Sequence, residues 1–504
     1  MKYLIGIDLG TSATKTVLFD EECKVVASAS QEYPLYQPQN GWAEQDPLDW
    51  WNAAVSTSKE VITKAGIDSK DIAGIGISGQ MHGLVMLDKD GNVLRKSIIW
   101  CDQRTDKECE EITELIGKQR VIEITANPVL PGFTAPKIMW VKKHEPEIYA
   151  KCAHILLPKD YVRYMLTGEF ATEVSDASGM SLLDVPNRCW SDEVLDKLGI
   201  DKALLAKVYE SPDITGNVTK EAAALTGLAE GTPVVGGAGD NAAAAVGTGV
   251  VEEGKAFTTL GTSGVVFAHS DSVTIDPEGR VHTFCAAVPG AWTVMSCALA
   301  SGLSLKWFRD NFCASEMETA AGMGVDPYYL MDKQAEKVEI GADRLIYLPH
   351  LMGERYDPYA RGVFFGLSAI HTKYNMLRAV LEGVIYSQRE FLDILRGMGV
   401  VSTSMLACGG GGTSPLWRQM MADVYDLPVQ TVQNKEGPAL GVAILAGVGT
   451  GVFESVPDAC RKFIKTNPKQ DPIPENVAKY REFYDIYYDV NHALTSQFKK
   501  LSSL

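Results

Sequence analysis

Ile7-Asp8-Leu9-Gly10-Thr11-Ser12 and Thr259-Leu260-Gly261-Thr262-Ser263 carry the same four residues, Leu-Gly-Thr-Ser, once near the start of the chain and once just past its middle. Each copy follows an apolar, β-branched run and precedes another. Residues 3–8 read as a strand, 14–19 as its return and 24–30 as a third, an antiparallel meander. Around the second copy, residues 254–270 read as strand, tight turn, strand. Four small, common residues recur for one of two reasons. Either the match is coincidence, or two similar domains descend from one ancestral unit and present the same polar turn.

Further out, residues 46–65 have a helix pattern, opened by Asp46-Pro47 and carrying Trp50, Val55 and Val61. Another strand follows at 72–79. Strands, then helix, then strand make a mixed α/β layer fold. In the second half, residues 374–397 form a long amphipathic helix pattern. Residues 405–408 are a short apolar strand that runs into Gly409-Gly410-Gly411-Gly412. Residues 414–426 read as a helix with Pro415 in its first turn, and 438–446 as a short Ala-rich helix. A chain of 504 residues is too long for one ordinary core. The expected division is residues 1–247 and 248–504, at the glycine-dotted stretch 247–254.

The net charge is −17, which argues against nucleic acid or an anionic membrane as partner. One anionic ligand is still compatible with that sign, because a pocket of backbone N–H groups binds anions locally. The ten cysteines are scattered, with no C-x-x-C pair and no zinc spacing. The N-terminus runs straight into a strand pattern, and no apolar run reaches the length of a spanning helix. A reduced cytoplasmic location is the expectation.

Both turns set Gly, Thr and Ser after a strand. Glycine permits close backbone approach, and the hydroxyls with successive N–H groups suit an oxygen-rich anion such as nucleotide phosphate. Neither a Walker pattern nor a convincing Rossmann fingerprint is present. Asp8, beside the first turn, is a carboxylate next to a phosphate-type loop. It either holds hydrated Mg²⁺ or merely shapes the loop as an Asx-turn residue. Lys15 either reaches a phosphate or is a surface lysine. Asp240-Asn241 precede four alanines, so Asp240 is either an N-cap or a general base taking the proton of an attacking alcohol. His82, after the strand at 72–79, is either structural or a hydrogen-bond partner for a neutral, polar ligand such as a sugar.

The paired turns, Gly239-Asp240-Asn241 before an Ala-rich helix, and Gly409 to Gly412 followed by Ser414, Trp417, Arg418 and Gln419 resemble the FGGY carbohydrate kinases. Residues 132–141 (Gly-Phe-Thr-Ala-Pro-Lys-Ile-Met-Trp-Val) are similar to that family's first signature. Residues 362–367, continuing to Leu381-Glu382, are similar to its second. The resemblance spans residues 3–450 in order. It implies two actin-like, RNase H-type domains with a deep interdomain cleft, ATP and Mg²⁺ as cofactors, a small sugar as the other partner, and a homodimer, which is common in the family. It makes Asp240 the catalytic base and Met81, His82, Asp240 and Asn241 the sugar-binding residues. Gly10, Thr11, Ser12, Lys15, Gly261, Thr262 and Ser263 become the phosphate contacts, Gly409, Gly410 and Gly411 part of the adenosine pocket, and Asp8 the water-mediated Mg²⁺ holder. Pro438-Ala439-Leu440-Gly441 resembles a connecting segment near the hinge.

Gln80-Met81-His82-Gly83, residues 157–161 (Leu-Pro-Lys-Asp-Tyr) and Gly353-Glu354-Arg355 resemble the branch that phosphorylates D-xylulose on its 5-hydroxyl. The following Tyr356-Asp357-Pro358 departs from that branch. The alternatives are another sugar (D-ribulose, L-xylulose, gluconate or a polyol) or a non-catalytic sugar or nucleotide sensor.

Overall fold

The computed structural model describes residues 2–354 and 357–504. The chain divides into two compact units. The first comprises residues 2–252, Ser270–Thr293 and Asn434–Ile464. The second comprises Glu253–His269, Val294–Gln433 and Lys465–Leu504.

The first unit is built on a sheet in which Tyr3–Leu9 lies centrally. It pairs antiparallel with Ala13–Asp20, which pairs antiparallel with Val25–Glu32. On its other side it pairs parallel with Ile72–Gly79, and Pro233–Val235 follows in parallel. Alternation along the central strand decides what covers each face. Ile5, Ile7 and Leu9 pack into a core with Trp50, Val61, Ile75 and Ile77, under the helix Pro47–Ala65. Asp46 starts that helix by accepting the Leu48 N–H at 3.0 Å; losing such a cap costs about 1 kcal/mol. Leu4, Val17 and Phe19 face the other way, into a core with Ala439, Val442 and Ala443 of the helix Gly437–Gly449.

That second helix lies unusually close to the strands. A Cβ on Gly6 would sit 1.9 Å from the Ala439 carbonyl oxygen, and one on Gly76 would sit 2.0 Å from that of Val442. Glycine is what lets backbone lie on backbone there. The same helix packs against Asp240–Thr248, the short Ala-rich helix that opens with Asp240-Asn241.

The second unit repeats the plan. Lys255–Leu260 pairs antiparallel with Gly264–Ser270 and parallel with Ser404–Cys408, which pairs parallel with Val429–Gln430. Trp292–Ala298 lies beyond Gly264–Ser270. Both sheets thus set their first strand between its hairpin partner and a parallel strand from far along the chain. The Leu-Gly-Thr-Ser turns fall at the same place in each, which overturns coincidence as their explanation. The helix Lys373–Gly397, begun by a capping box of Thr372 and Asn375, packs with Pro415–Tyr425 and Pro474–Ala493. No helix among the described residues is long and apolar enough to cross a membrane.

Candidate active site

In the first unit, strand register gathers the candidates. Asp8 and Leu9 stand beside Ser78 and Gly79, and Ala238 and Gly239 pair with Ser78 and Gly79 on the far side. One step beyond these pairs, the chain delivers Gly10, Gln80-Met81 and Asp240.

Asp240 is the first residue of its helix, and the cap position belongs to Gly239, with no side-chain cap bond. The Asp240 Oδ1 accepts from the Asn241 backbone N–H at 2.8 Å and from its Nδ2 at 3.1 Å. The cap position weighed for Asp240 thus falls one residue earlier, at Gly239, and Asp240 stands at the first helical position with its carboxylate on the N–H of the next residue. Burial pushes this carboxyl up to about 7; the negative charge of Asp8 adds to the rise and the Asn241 N–H opposes it. A carboxyl tuned to neutrality suits proton abstraction at neutral pH.

Burial also lifts the Asp8 carboxyl above its ordinary range, tempered by the Ser78 hydroxyl and the Lys15 charge, and reinforced by Glu436. Lys15 stands opposite Asp8 in register and places its ammonium 2.5 Å from Glu436. It is a paired lysine in this arrangement.

The first turn, Gly10-Thr11-Ser12, is held from below. Gly10 N–H donates to Ala13 O at 3.0 Å, and Gln80 N–H to Leu9 O at 2.8 Å. Gln45 Nε2 donates to Thr11 O at 2.7 Å, and the Tyr33 hydroxyl donates to Gly10 O. Trp100 Nε1 donates to Thr11 Oγ1 at 2.9 Å. Gln45 Oε1 in turn accepts from Gln80 Nε2 at 2.7 Å and from Trp50 Nε1 at 3.2 Å. Ser12 is left exposed at the tip.

Met81 is buried and presses on Gly239, where a Cβ would meet its Cγ at 2.9 Å. His82 adopts a left-handed backbone, φ 70°. Its ring stacks on Phe133 at 4.6 Å, with its Nδ1 2.9 Å from Gly179 O. Its carbonyl accepts from Thr134 Oγ1 at 3.1 Å and from Lys137 Nζ at 2.9 Å. Lys137 Nζ also donates to Gly132 O at 2.7 Å. Full burial brings this ammonium down to about 7.

In the second unit, Gly261-Thr262-Ser263 is held by backbone. Gly261 N–H donates to Ser263 O at 3.0 Å, while Gly302 N–H and Leu303 N–H, in the first turn of the helix Ser301–Phe312, donate to Gly261 O and Thr262 O at 2.8 and 3.1 Å. Gly409, Gly410 and Gly411 follow the strand Ser404–Cys408 and lie against the base of this turn. Gly409 has φ 75°, and a Cβ there would meet the Leu260 carbonyl oxygen at 3.1 Å. The bare glycine backbone and the polar turn thus adjoin within one unit.

Two domain models of the FGGY family of carbohydrate kinases match the chain, the N-terminal domain over residues 3–247 and the C-terminal domain over residues 256–450. The chain belongs to the FGGY family of carbohydrate kinases. This FGGY chain is thereby an ATP-dependent sugar kinase. It is 40% identical over 493 residues to the xylulose kinase of Bacillus subtilis, covering 97% of each chain. It is 34% identical over 505 residues to the gluconokinase of the same organism, covering 99% of this chain and 98% of that one. The crystal structure of xylulose kinase from Rhodospirillum rubrum superposes with a TM-score of 0.93 at 32% identity, over 99% of this chain and all of that one.

Sequence reasoning passed over several residues that shape this FGGY site. Tyr33, Gln45 and Trp100 hold the first turn from loops and strand ends that carry no periodic signal. Gln80 lay inside a quoted motif without a role. The buried Lys159, Asp160, Glu173 and Asp176 surround one another within hydrogen-bond or ion-pair reach; only the first two fell in a quoted stretch. Arg355 and Tyr356, part of the motif and of the departure noted in the sequence, lie outside the described residues.

Proposed function

We propose that the chain transfers the γ-phosphoryl group of ATP to the 5-hydroxyl of D-xylulose, with Asp240 as the general base. The observation that carries the base assignment is the raised Asp240 carboxyl, at the end of the strand Ala238–Gly239 that pairs beside the strand leading into Gln80-Met81. Met81, His82 and Asn241 hold the sugar, and Asp240 accepts the hydroxyl proton as the phosphoryl group moves. The Gly10–Ser12 and Gly261–Ser263 turns contact the phosphates, and the Gly409–Gly411 backbone receives the adenosine. Most of the acceleration then comes from positioning and charge neutralisation, because phosphoryl transfer asks little covalent chemistry of the protein.

The residues present fit Mg²⁺. Asp8 and Asp240 are two carboxyls close enough for one to raise the other, and no group of three or more His, Cys, Asp or Glu among the described residues forms a metal cage. Mg²⁺ keeps most of its water and binds through one or two carboxylates and substrate phosphates. Asp8 is the residue that would hold it, and the ion would supply charge neutralisation at the phosphates.

Two observations favour a ketopentose over gluconate. The similarity to xylulose kinases runs higher than that to the gluconokinase. The Lys137 ammonium, which bonds the His82 carbonyl, already donates to two carbonyls rather than being offered to a sugar carboxylate.

The test is ADP release with ATP and Mg²⁺ across D-xylulose, D-ribulose, L-xylulose, gluconate and glycerol, with a sugar-free blank. A rate with D-xylulose far above the others supports the reading. A higher rate with another sugar replaces the substrate and leaves the kinase chemistry. For the base, Asp240→Asn lowers kcat by on the order of 10²–10⁴-fold and leaves sugar binding by titration calorimetry largely intact. Near-normal turnover in this variant removes Asp240 from the role.

A further inference from the structure

We propose that Glu173 and Ser175 are positioning residues for Asp240, acting on the peptide that carries it and touching neither substrate nor nucleotide. The inference rests on the reading of Asp240 as the base.

The approach to Asp240 reads Gly236-Gly237-Ala238-Gly239. Three glycines and an alanine have almost no side chain with which to lock themselves by packing, so their position must be set through backbone groups. One carboxylate does this at both ends of the segment. At the Asp240 end, Gly239 N–H donates to Ser175 Oγ at 3.1 Å, and the Ser175 hydroxyl donates to Glu173 Oε1 at 2.9 Å. At the other end, Gly237 N–H donates to Ser211 O at 3.0 Å, and the Ser211 hydroxyl donates to Glu173 Oε2 at 2.9 Å. Glu173 is held in turn by the N–H groups of Ser175 and Asp176 at 2.7 and 2.9 Å.

The surrounding charges serve the same segment. Arg163 donates to Gly236 O and, at 2.8 Å, to Asp160. Lys159 Nζ lies 2.7 Å from Asp160 and 3.3 Å from both Glu173 and Asp176. All of these side chains are at most 1% exposed. Desolvating charge costs several kcal/mol per ion, and an apolar core of equal volume is often as stable. An apolar core lacks directional bonds to bare N–H and C=O groups, and directional bonds are what a Gly-Gly-Ala-Gly segment requires.

The experiment is a double-mutant cycle in the full-length protein, with Ser175→Ala, Asp240→Asn and the pair. Ser175→Ala lowers kcat by about 10–100-fold, the scale of a catalytic group misplaced by about 1 Å, while KM for sugar and ATP stays within about threefold. In the Asp240→Asn background the same change lowers the residual rate by less than about twofold, because there is no base left to misplace. Wild-type kcat in Ser175→Ala overturns the proposal, as does an equal loss in both backgrounds. If Ser175→Ala does not fold, Ser211→Ala cuts the Glu173 link of the other arm while leaving Gly237 on the Ser211 carbonyl, and is read by the same cycle. Near-normal turnover in Asp240→Asn alone is a separate outcome: it removes the base, and this proposal with it.

Discussion

The two Leu-Gly-Thr-Ser turns occupy the same place in the same sheet plan, yet their surroundings differ in kind. In the first unit the residue two before the turn glycine is Asp8, flanked in register by Lys15 and Ser78. In the second it is Thr259, flanked by Val265 and Cys408. The first turn is held by side chains from several elements, Tyr33, Gln45 and Trp100. The second is held by the backbone amides of one helix, at Gly302 and Leu303. One turn thus keeps a carboxylate at its base and side chains beneath it, while the other is neutral there and held by backbone. A shared residue string marks a shared position; the neighbours in register decide what the position does.

The largest effect that would sharpen this contrast lies at Asp240. With its carboxyl raised to about 7, the proposed base should make kcat/KM rise with pH through that region in a pH–rate profile, because it would work ionised. The same shift acts on stability with a definite sign. A carboxyl whose folded pKa exceeds its unfolded value of about 3.9 loses its stabilising contribution as pH rises from there through about 7. Asp240→Asn should therefore melt higher than the parent at pH 8, with the gap closing toward pH 4; an unchanged gap in calorimetric scans would contradict the burial argument.

Next comes the charged residue that distinguishes the turns. Asp8→Asn should lower turnover by on the order of 10²-fold and raise the Mg²⁺ concentration needed for half-maximal rate. It should also move the acid limb of kcat/KM to lower pH, since the Asp8 charge is one cause of the raised Asp240 carboxyl. Its counterpart Thr259→Val should leave both the Mg²⁺ requirement and the limb in place. Equal Mg²⁺ phenotypes from the two variants would break the comparison.

Gly302→Ala tests the backbone-held turn. The added Cβ would lie 2.2 Å from the Gly261 carbonyl oxygen, so the turn must move. The KM for ATP should rise by about tenfold, with sugar binding by calorimetry unaffected, in line with the cost of sub-ångström to ångström misplacement. The smallest effect belongs to Gln45→Leu. It strands donors on Gln80 and Trp50 and should cost about 1–3 kcal/mol of stability in denaturant titration, with a modest loss of turnover.

Much of the frame was legible in the sequence because it rests on period and punctuation. The strand at 72–79, the hairpin around the second turn and the long helix near 374–397 agree with Ile72–Gly79, Lys255–Leu260 with Gly264–Ser270, and Lys373–Gly397. The helix at 46–65 was readable from Asp46-Pro47, and the structure makes Asp46 its cap. Asp240 was readable as a polar residue at a helix start. Whether it capped that helix was not, because capping and N1 positions differ by a single residue and the register with Ser78 and Gly79 is a tertiary fact. The residues between 85 and 231 were the least legible. Their elements are short, their apolar spacing is broken, and their meaning lies in buried ion pairs such as Lys159 with Asp160 and Glu173, which no local pattern announces.

The close seating of Gly437–Gly449 on Gly6 and Gly76 also sets an order of events during synthesis. The first strands leave the ribosome hundreds of residues before the helix that covers one of their faces. Until then Leu4, Val17 and Phe19 have no complete core, and the strand glycines form a bare backbone furrow awaiting a late partner. Contacts of such long sequence separation form slowly and leave apolar surface exposed meanwhile. A nascent chain stalled before Asn434 therefore leaves that furrow open to chaperones and to other nascent chains, and the arrival of Asn434–Ile464 is the step that turns a waiting sheet into a finished unit.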